Sequence, residues 1–238
     1  MIEGGKRLGR IKSALREKIK VGKNAAEVDK KADELIKEAG GKPSFKGVPG
    51  YSWATCINKN EGMVHGIPSK NIVFENGDVI SVDIGMLFQG YHLDTSFSVG
   101  LNPDVHQARF LNTGREALKA AIEKTKEGFR VYDISEAIES VVVKAGYTPI
   151  KDLVGHGIGK KLHEDPPIPC FKQGSRESSP IIPKGATLAI EVMYTQGRKD
   201  LIIESDGWTI STADGKISAL FEETVAVTGT GPLILTEG

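Results

Sequence analysis

Cysteine is nearly absent: Cys56 and Cys170 are the only two in 238 residues. They stand far apart, and one pair in a chain of this size makes no disulfide framework, so a reducing compartment is the simpler expectation. A charge surplus is missing too, since 31 Lys and Arg are matched by 31 Asp and Glu. That argues against nucleic acid as a partner or substrate held by phosphate neutralisation, while leaving room for a local basic patch. No run approaches roughly eighteen consecutive apolar residues, so no membrane helix is expected. The N-terminus lacks the apolar stretch of a secretory signal, which makes a cytoplasmic location the expectation. What is present, 39% hydrophobic and 26% charged residues, is the profile of a globular protein with a sizeable core.

Helical spacing joins Leu8, Ile11, Leu15 and Ile19 over residues 3–20. A second helix is predicted from Asn24, with Glu27 as its capping-box partner, an inner face of Val28, Ala32, Leu35 and Ile36, and Gly40 as the stop. NGDVISVDIG and YHLDTSFSVG read as strands joined through LFQG. Residues 103–127 read as a helix opening at Pro103, and Asp133 with Glu136 as the cap of another that ends at Gly146. ALFEETVAVT reads as the last strand, and no low-complexity linker divides the chain.

One pattern organises these elements. GKNAAEVDKKADELIKEAGGKP at 22–43 matches GFRVYDISEAIESVVVKAGYTP at 128–149 at a constant offset, with Gly22 on Gly128, Leu35 on Val141 and Pro43 on Pro149. A similar shift carries NGDVISVDIG onto KGATLAIEVM, so that Asp83 falls on Glu191. The repeat implies an internal duplication, two α/β halves about a pseudo-twofold axis, divided near residues 118 and 119.

A carboxylate inside a β-run is costly unless it is paired or bound to a cation. Asp83 and Asp94 lie in such runs, and a turn near residues 88–89 would set them opposite each other. Like charges directly opposed repel, and a divalent cation between them turns the penalty into binding. Glu191 in LAIEVM and Glu222 in ALFEET repeat the arrangement in the second half. His156, in VGHGIG, would add a nitrogen ligand, with its flanking glycines letting the backbone approach the site and take unusual angles. Five ligands, four of them carboxylates, suit two divalent ions about 3.5–4 Å apart. Manganese, iron(II) or cobalt fits such oxygen-rich donors, with zinc or nickel as alternatives.

NEGMVHGIP, SVDIGMLFQGYHLDTS, VGHGIGKKLHEDP, AIEVM and SALFEETVAVT together resemble the successive motifs of type I methionine aminopeptidases, in order along nearly the whole chain. The resemblance implies an α+β pita-bread fold: two pseudo-twofold-related α/β halves around a curved antiparallel sheet, forming one catalytic domain over residues 1–238. It implies the compact bacterial form, without the N-terminal extension or large insertion of other members. By position, Asp83 would bind one metal, Asp94 and Glu222 would bridge two, and His156 and Glu191 would complete the second. His163 would contact the scissile carbonyl, His65 would stand near the departing amide nitrogen, and Tyr51, Cys56 and Trp208 would line or border the methionine pocket. Val192, Val64 and Leu162 depart from the family's usual proline, cysteine and aromatic, which bears on pocket shape more than on chemistry.

The implied activity is removal of N-terminal methionine from newly synthesised proteins when the second residue is small. Glu191 would be the proton carrier and His163 the stabiliser of the tetrahedral intermediate. A monomer with transient ribosome contact is the corresponding expectation. Two other readings share the fold: a proline-directed peptidase, whose chains usually carry a further N-terminal domain, and a metal-free binding protein or creatinase-like enzyme. The five acid and histidine ligands speak against the second.

Overall fold

A computed structural model describes residues 1–238. Helix α1 (Ile2–Arg16) buries Leu8, Ile11 and Leu15 along one stripe. Helix α2 (Ala25–Glu38) starts as its cap dictates: the Asn24 side chain accepts the Glu27 N–H at 3.1 Å. Gly40 leaves that helix at φ +77°. Then come β1 (Lys42–Pro43), a 3-10 turn at Phe45–Gly47, β2 (Thr55–Lys59), β3 (Gly62–Val64), β4 (Val79–Phe88) and β5 (Tyr91–Gly100). Two helices follow, α3 (Val105–Lys124) and α4 (Val131–Lys144). The rest is strand: β6 (Thr148–Pro149), β7 (Val154–Gly157), β8 (Glu164–Pro169), β9 (Thr187–Thr195), β10 (Leu201–Ile203), β11 (Ile210–Thr212), β12 (Ser218–Thr228) and β13 (Gly231–Ile234).

Four local expectations shift. Pro103 lies outside α3, whose cap is Asp104: its carboxylate accepts the Gln107 N–H at 2.8 Å, and Gln107 Oε1 accepts the Asp104 N–H at 3.2 Å. Asp133 is inside α4, where its carboxylate accepts the Arg130 N–H at 2.9 Å. ALFEETVAVT is not the last strand, because β13 folds back onto β12. The hairpin turns on Gln89 and Gly90, at φ +49° and +81°, the double positive φ of a type I′ turn. This places Asp83 opposite Ser96 and Asp94 opposite Gly85, so the two aspartates are diagonal neighbours on one face rather than directly opposed.

The main sheet runs β1-β4-β5-β12-β9-β7-β8, with β2 added to β4, β6 to β9 and β13 to β12, while β10, β11 and β3 form a small second sheet. Every registered pairing is antiparallel. The halves repeat as pita-bread halves do. β1 pairs β4 through Lys42↔Leu87 and Pro43↔Met86, and β6 pairs β9 through Thr148↔Thr195 and Pro149↔Tyr194. Ser96 faces Glu222 across the junction of β5 and β12, and the pseudo-twofold axis passes there. Asp83 and Glu191 are therefore equivalent, whereas the counterpart of Glu222 is Ser96 and not Asp94. Each half has its own apolar core. Leu8, Ile36, Ile84 and Phe97 belong to the first; Phe110, Leu118, Ile138 and Tyr194 belong to the second. Helix α3 spans the expected division at 118 and packs with the second core, so the halves part before it, in the turn after Gly100.

Candidate active site

His156 sits in strand β7 rather than in a loop. Its glycine neighbours are needed for close approach, not for unusual angles. A Cβ on Gly155 would stand 2.6 Å from Ala189 O, and one on Gly157 would stand 2.2 Å from Asp165 O. Close packing draws β7 against β9, where His156 pairs with Ala189. The imidazole Nδ1 is 2.8 Å from Gly157 O. A proton on Nδ1 satisfies that carbonyl and leaves the Nε2 lone pair free, 3.4 Å from Glu191 Oε1. Burial lowers the His156 pKa to about 4, so the ring is neutral near pH 7.

Both halves supply the carboxylates. Glu191 and Glu222 face each other across β9 and β12, and Asp83 and Asp94 approach diagonally from β4 and β5. All four border one cavity of about 400 Å³, together with His65, His156 and His163. One ligand atom each from Asp94, His156 and Glu222 lies within 4.8 Å of the others. Asp83 Oδ1 and Glu222 Oε1 are buried with no hydrogen-bond partner. An unpartnered buried carboxylate oxygen is costly, and four carboxyls beside a neutral imidazole are a donor set made for divalent cations. The residues therefore fit the metal centre expected of them.

Their acidities report the same strain. Burial raises Asp83 to about 7. Burial raises Asp94 as well, with the charges of Asp83 and Glu191 adding to it. Glu191 rises through burial and then Asp83; Glu222 rises through burial, then Asp94, Glu191 and Asp83. A carboxyl whose folded pKa exceeds its unfolded value destabilises the fold as pH climbs between the two. His156 works oppositely, but only below its unfolded value near 6.5. From pH 6.5 to 8.5 the carboxyls alone act. The melting temperature of metal-stripped protein should fall across that window, and saturating manganese should flatten the fall. A stripped protein that melts at one temperature throughout would show that these acids carry no such strain.

Around the acids the cavity becomes apolar. Tyr51 and Trp208 meet edge-on at 5.1 Å between ring centres, and Cys56 lies beneath them on β2, facing Asp83. The Asp206 carboxylate accepts the N–H groups of Trp208 and Thr209, each at 2.8 Å, which fixes the turn presenting the indole. Tyr51 OH donates to Thr55 O at 2.9 Å. Val64 and Leu162 also line this wall. Val192 does not, because it points from the opposite face of β9 into the second core. Phe45, Val48, Leu153, Val154 and Met193 complete the apolar wall and were not anticipated. Met193 was readable, being two residues beyond Glu191 on the same strand face.

His65 and His163 stand exposed at the rim. His163 stacks edge-on to His156 with ring centres 4.6 Å apart, and partial burial lowers its pKa. His65 has φ +58°, a left-handed backbone uncommon outside glycine. A wider vestibule of about 650 Å³ shares His156 and His163 and is edged by Lys160, Lys161 and Glu164.

The sequence pattern of metallopeptidase family M24 matches residues 1–229. Methionine aminopeptidase of Clostridium perfringens is 38% identical over 237 residues, covering 99% of this chain and 94% of that protein. Methionine aminopeptidase 1 of Bacillus subtilis is also 38% identical over 237 residues, with the same coverage. The crystal structure of methionine aminopeptidase from Thermotoga maritima superimposes with a TM-score of 0.96 at 39% identity, covering 100% of this chain and 95% of that one. With two acids from each half meeting at one cavity and likeness running end to end, the chain belongs to metallopeptidase family M24 and, within it, to the type I methionine aminopeptidases.

Proposed function

We propose that the protein removes the N-terminal methionine of newly made proteins by metal-assisted hydrolysis of the first peptide bond, favouring a small second residue. The observation that carries this reading is the convergence of Asp83, Asp94, His156, Glu191 and Glu222 on one cavity, with Asp83 Oδ1 and Glu222 Oε1 unpartnered. Two divalent ions would be held there, manganese, iron(II) or cobalt, with zinc or nickel as alternatives. Asp83 would help to hold one, His156 with Glu191 would help to hold the other, and Asp94 and Glu222 would serve both. When bound, the ions supply Lewis acidity and a nucleophile available near neutral pH.

The chain's own residues do the rest. The carboxylates around the cavity attract the free α-amino group, which limits attack to the first residue. The wall of Tyr51, Cys56, Trp208 and Met193 receives an unbranched, polarisable side chain such as methionine. Glu191 takes a proton from the attacking water and passes it to the leaving amine. His163, neutral at the rim, donates to the carbonyl oxygen as it gains charge. His65, also at the rim, would stand beside the departing amide nitrogen. Residues 1–238 act together as one catalytic unit, because each half contributes ligands. A monomer acting in the cytoplasm, in transient contact with the ribosome, accords with this chemistry.

Two peptides test the reading. Metal-stripped protein resupplied with cobalt or manganese is expected to release methionine from Met-Ala-Ser and to leave Ala-Pro-Ala intact. Cleavage of Ala-Pro-Ala alone would mark a proline-directed peptidase and overturn the assignment.

A further inference from the structure

Asp94 and Glu222 reach the site from strands of different halves, and the seam between those strands is short beside the ladders that flank it. β4 and β5 register through ten residue pairs and β9 and β12 through nine. β5 and β12 register through two, Glu222↔Ser96 and Glu223↔Thr95. On either side of these pairs a hydroxyl replaces the ladder. Ser98 Oγ donates to Leu220 O at 2.8 Å and accepts the Leu220 N–H at 3.0 Å. Thr224 Oγ1 donates to Asp94 O at 2.7 Å and accepts the Asp94 N–H at 3.0 Å. Each hydroxyl thus engages both backbone groups that a strand partner would otherwise satisfy.

The two clasps are related by the pseudo-twofold axis. Ser98 lies two residues beyond Ser96, and Thr224 lies two beyond its counterpart Glu222. Both are buried, at 1% and 0% exposure, so water does not compete for these bonds. Other side chains pin the same junction. Thr95 Oγ1 donates to Glu222 O at 2.8 Å, and behind the sheet the buried Lys12 of α1 pairs with Glu223 of β12 at 2.5 Å. A hydroxyl interposed between two backbones holds them further apart than a direct N–H to C=O bond. Here it does so at Asp94 itself.

We propose that Thr224 and Ser98 are positioning residues whose hydroxyls set the width of the seam, and through it the spacing of Asp94 and Glu222 and the affinity of the site for divalent cations. This rests on the reading that those two carboxylates hold metal. Neither hydroxyl lines the cavity, so neither touches substrate or metal.

The test is calorimetric titration of metal-stripped protein with cobalt(II) chloride, with the visible spectrum of the loaded protein and steady-state kinetics on Met-Ala-Ser. Thr224→Val keeps the shape and removes the hydroxyl. It is expected to raise the cobalt dissociation constant by about tenfold or more, alter the cobalt absorption and lower kcat with KM within about twofold, the scale on which supports of metal ligands act. Thr224→Ser restores the hydroxyl and should return the dissociation constant to within about threefold of wild type. A Thr224→Val protein with wild-type affinity and spectrum overturns the proposal, whatever its melting temperature. If Thr224→Val does not fold, Ser98→Ala decides: a dissociation constant raised about threefold or more supports the clasp, and an unchanged one refutes it. Wild type and Glu222→Ala are titrated alongside. A wild type that takes no cobalt, or Glu222→Ala protein that takes it normally, would refute the site assignment instead.

Discussion

Asp94→Ala and Glu222→Ala should each lose bound metal and turnover together, with kcat/KM falling on the order of a thousandfold, about 4 kcal/mol of transition-state stabilisation. The size of the effect follows from position. Asp94 comes from the first half and Glu222 from the second, and with His156 they offer ligand atoms within 4.8 Å of one another. On the proposed assignment both ions would share either carboxylate, so removing one would deplete both centres at once. The fold itself should tolerate the change. Burial already holds both carboxyls well above the usual acidic range, and replacing one by a methyl group relieves repulsion in metal-free protein. Metal-stripped Asp94→Ala protein is therefore expected to melt no lower than metal-stripped wild type at pH 8, while gaining less on adding manganese. Metal analysis, activity and a melting curve separate the outcomes. Two metals retained with full turnover would remove the bridging role from Asp94.

Much of this site was legible in the sequence because its signals are local. Asn24 and Gly40 mark their helix by side-chain and backbone chemistry that needs no partner elsewhere, whereas the Glu27 carboxylate turns to Lys23 instead of closing a capping box. The doubling was legible because α2 with β1 and α4 with β6 keep one spacing, and β4 with β9 keeps another close to it. The pairing of acids was not. LFQG contains four residues that could turn the chain, and only the positive φ of Gln89 fixes which two do. Misplacing the turn by a single residue moves the partner of Asp83 from Ser96 to Asp94. The likeness of Asp94 to Glu222 was a chemical coincidence of two carboxylates. The β10–β11 hairpin lies between β9 and β12, so spacing alone could not show that Ser96 is the true counterpart. Phe45 was missed because it enters the cavity wall from a 3-10 turn, which has no alternating pattern to reveal its face. The hydroxyl clasps are invisible for a related reason: Ser98 and Thr224 read as ordinary strand residues until the two halves are brought together.

His163→Ala should separate chemistry from metal binding. His163 stands at the rim, its ring 4.6 Å from that of His156, close enough to reach a carbonyl drawn toward the acids. It lies outside the Asp94–His156–Glu222 cluster. Partial burial lowers its pKa, so near pH 7 it is a neutral N–H donor rather than a cation. A neutral donor aimed at a carbonyl contributes little to the resting substrate and much more once the oxygen carries charge. The loss should therefore fall on kcat, by about a hundredfold to a thousandfold, with KM nearly unchanged and metal content equal to wild type. His163→Gln keeps an N–H donor at similar reach and should recover part of the rate, which a role confined to packing would not allow. Loss of metal from His163→Ala protein would instead make this histidine a ligand, and the division of labour between the rim and the buried acids would have to be redrawn.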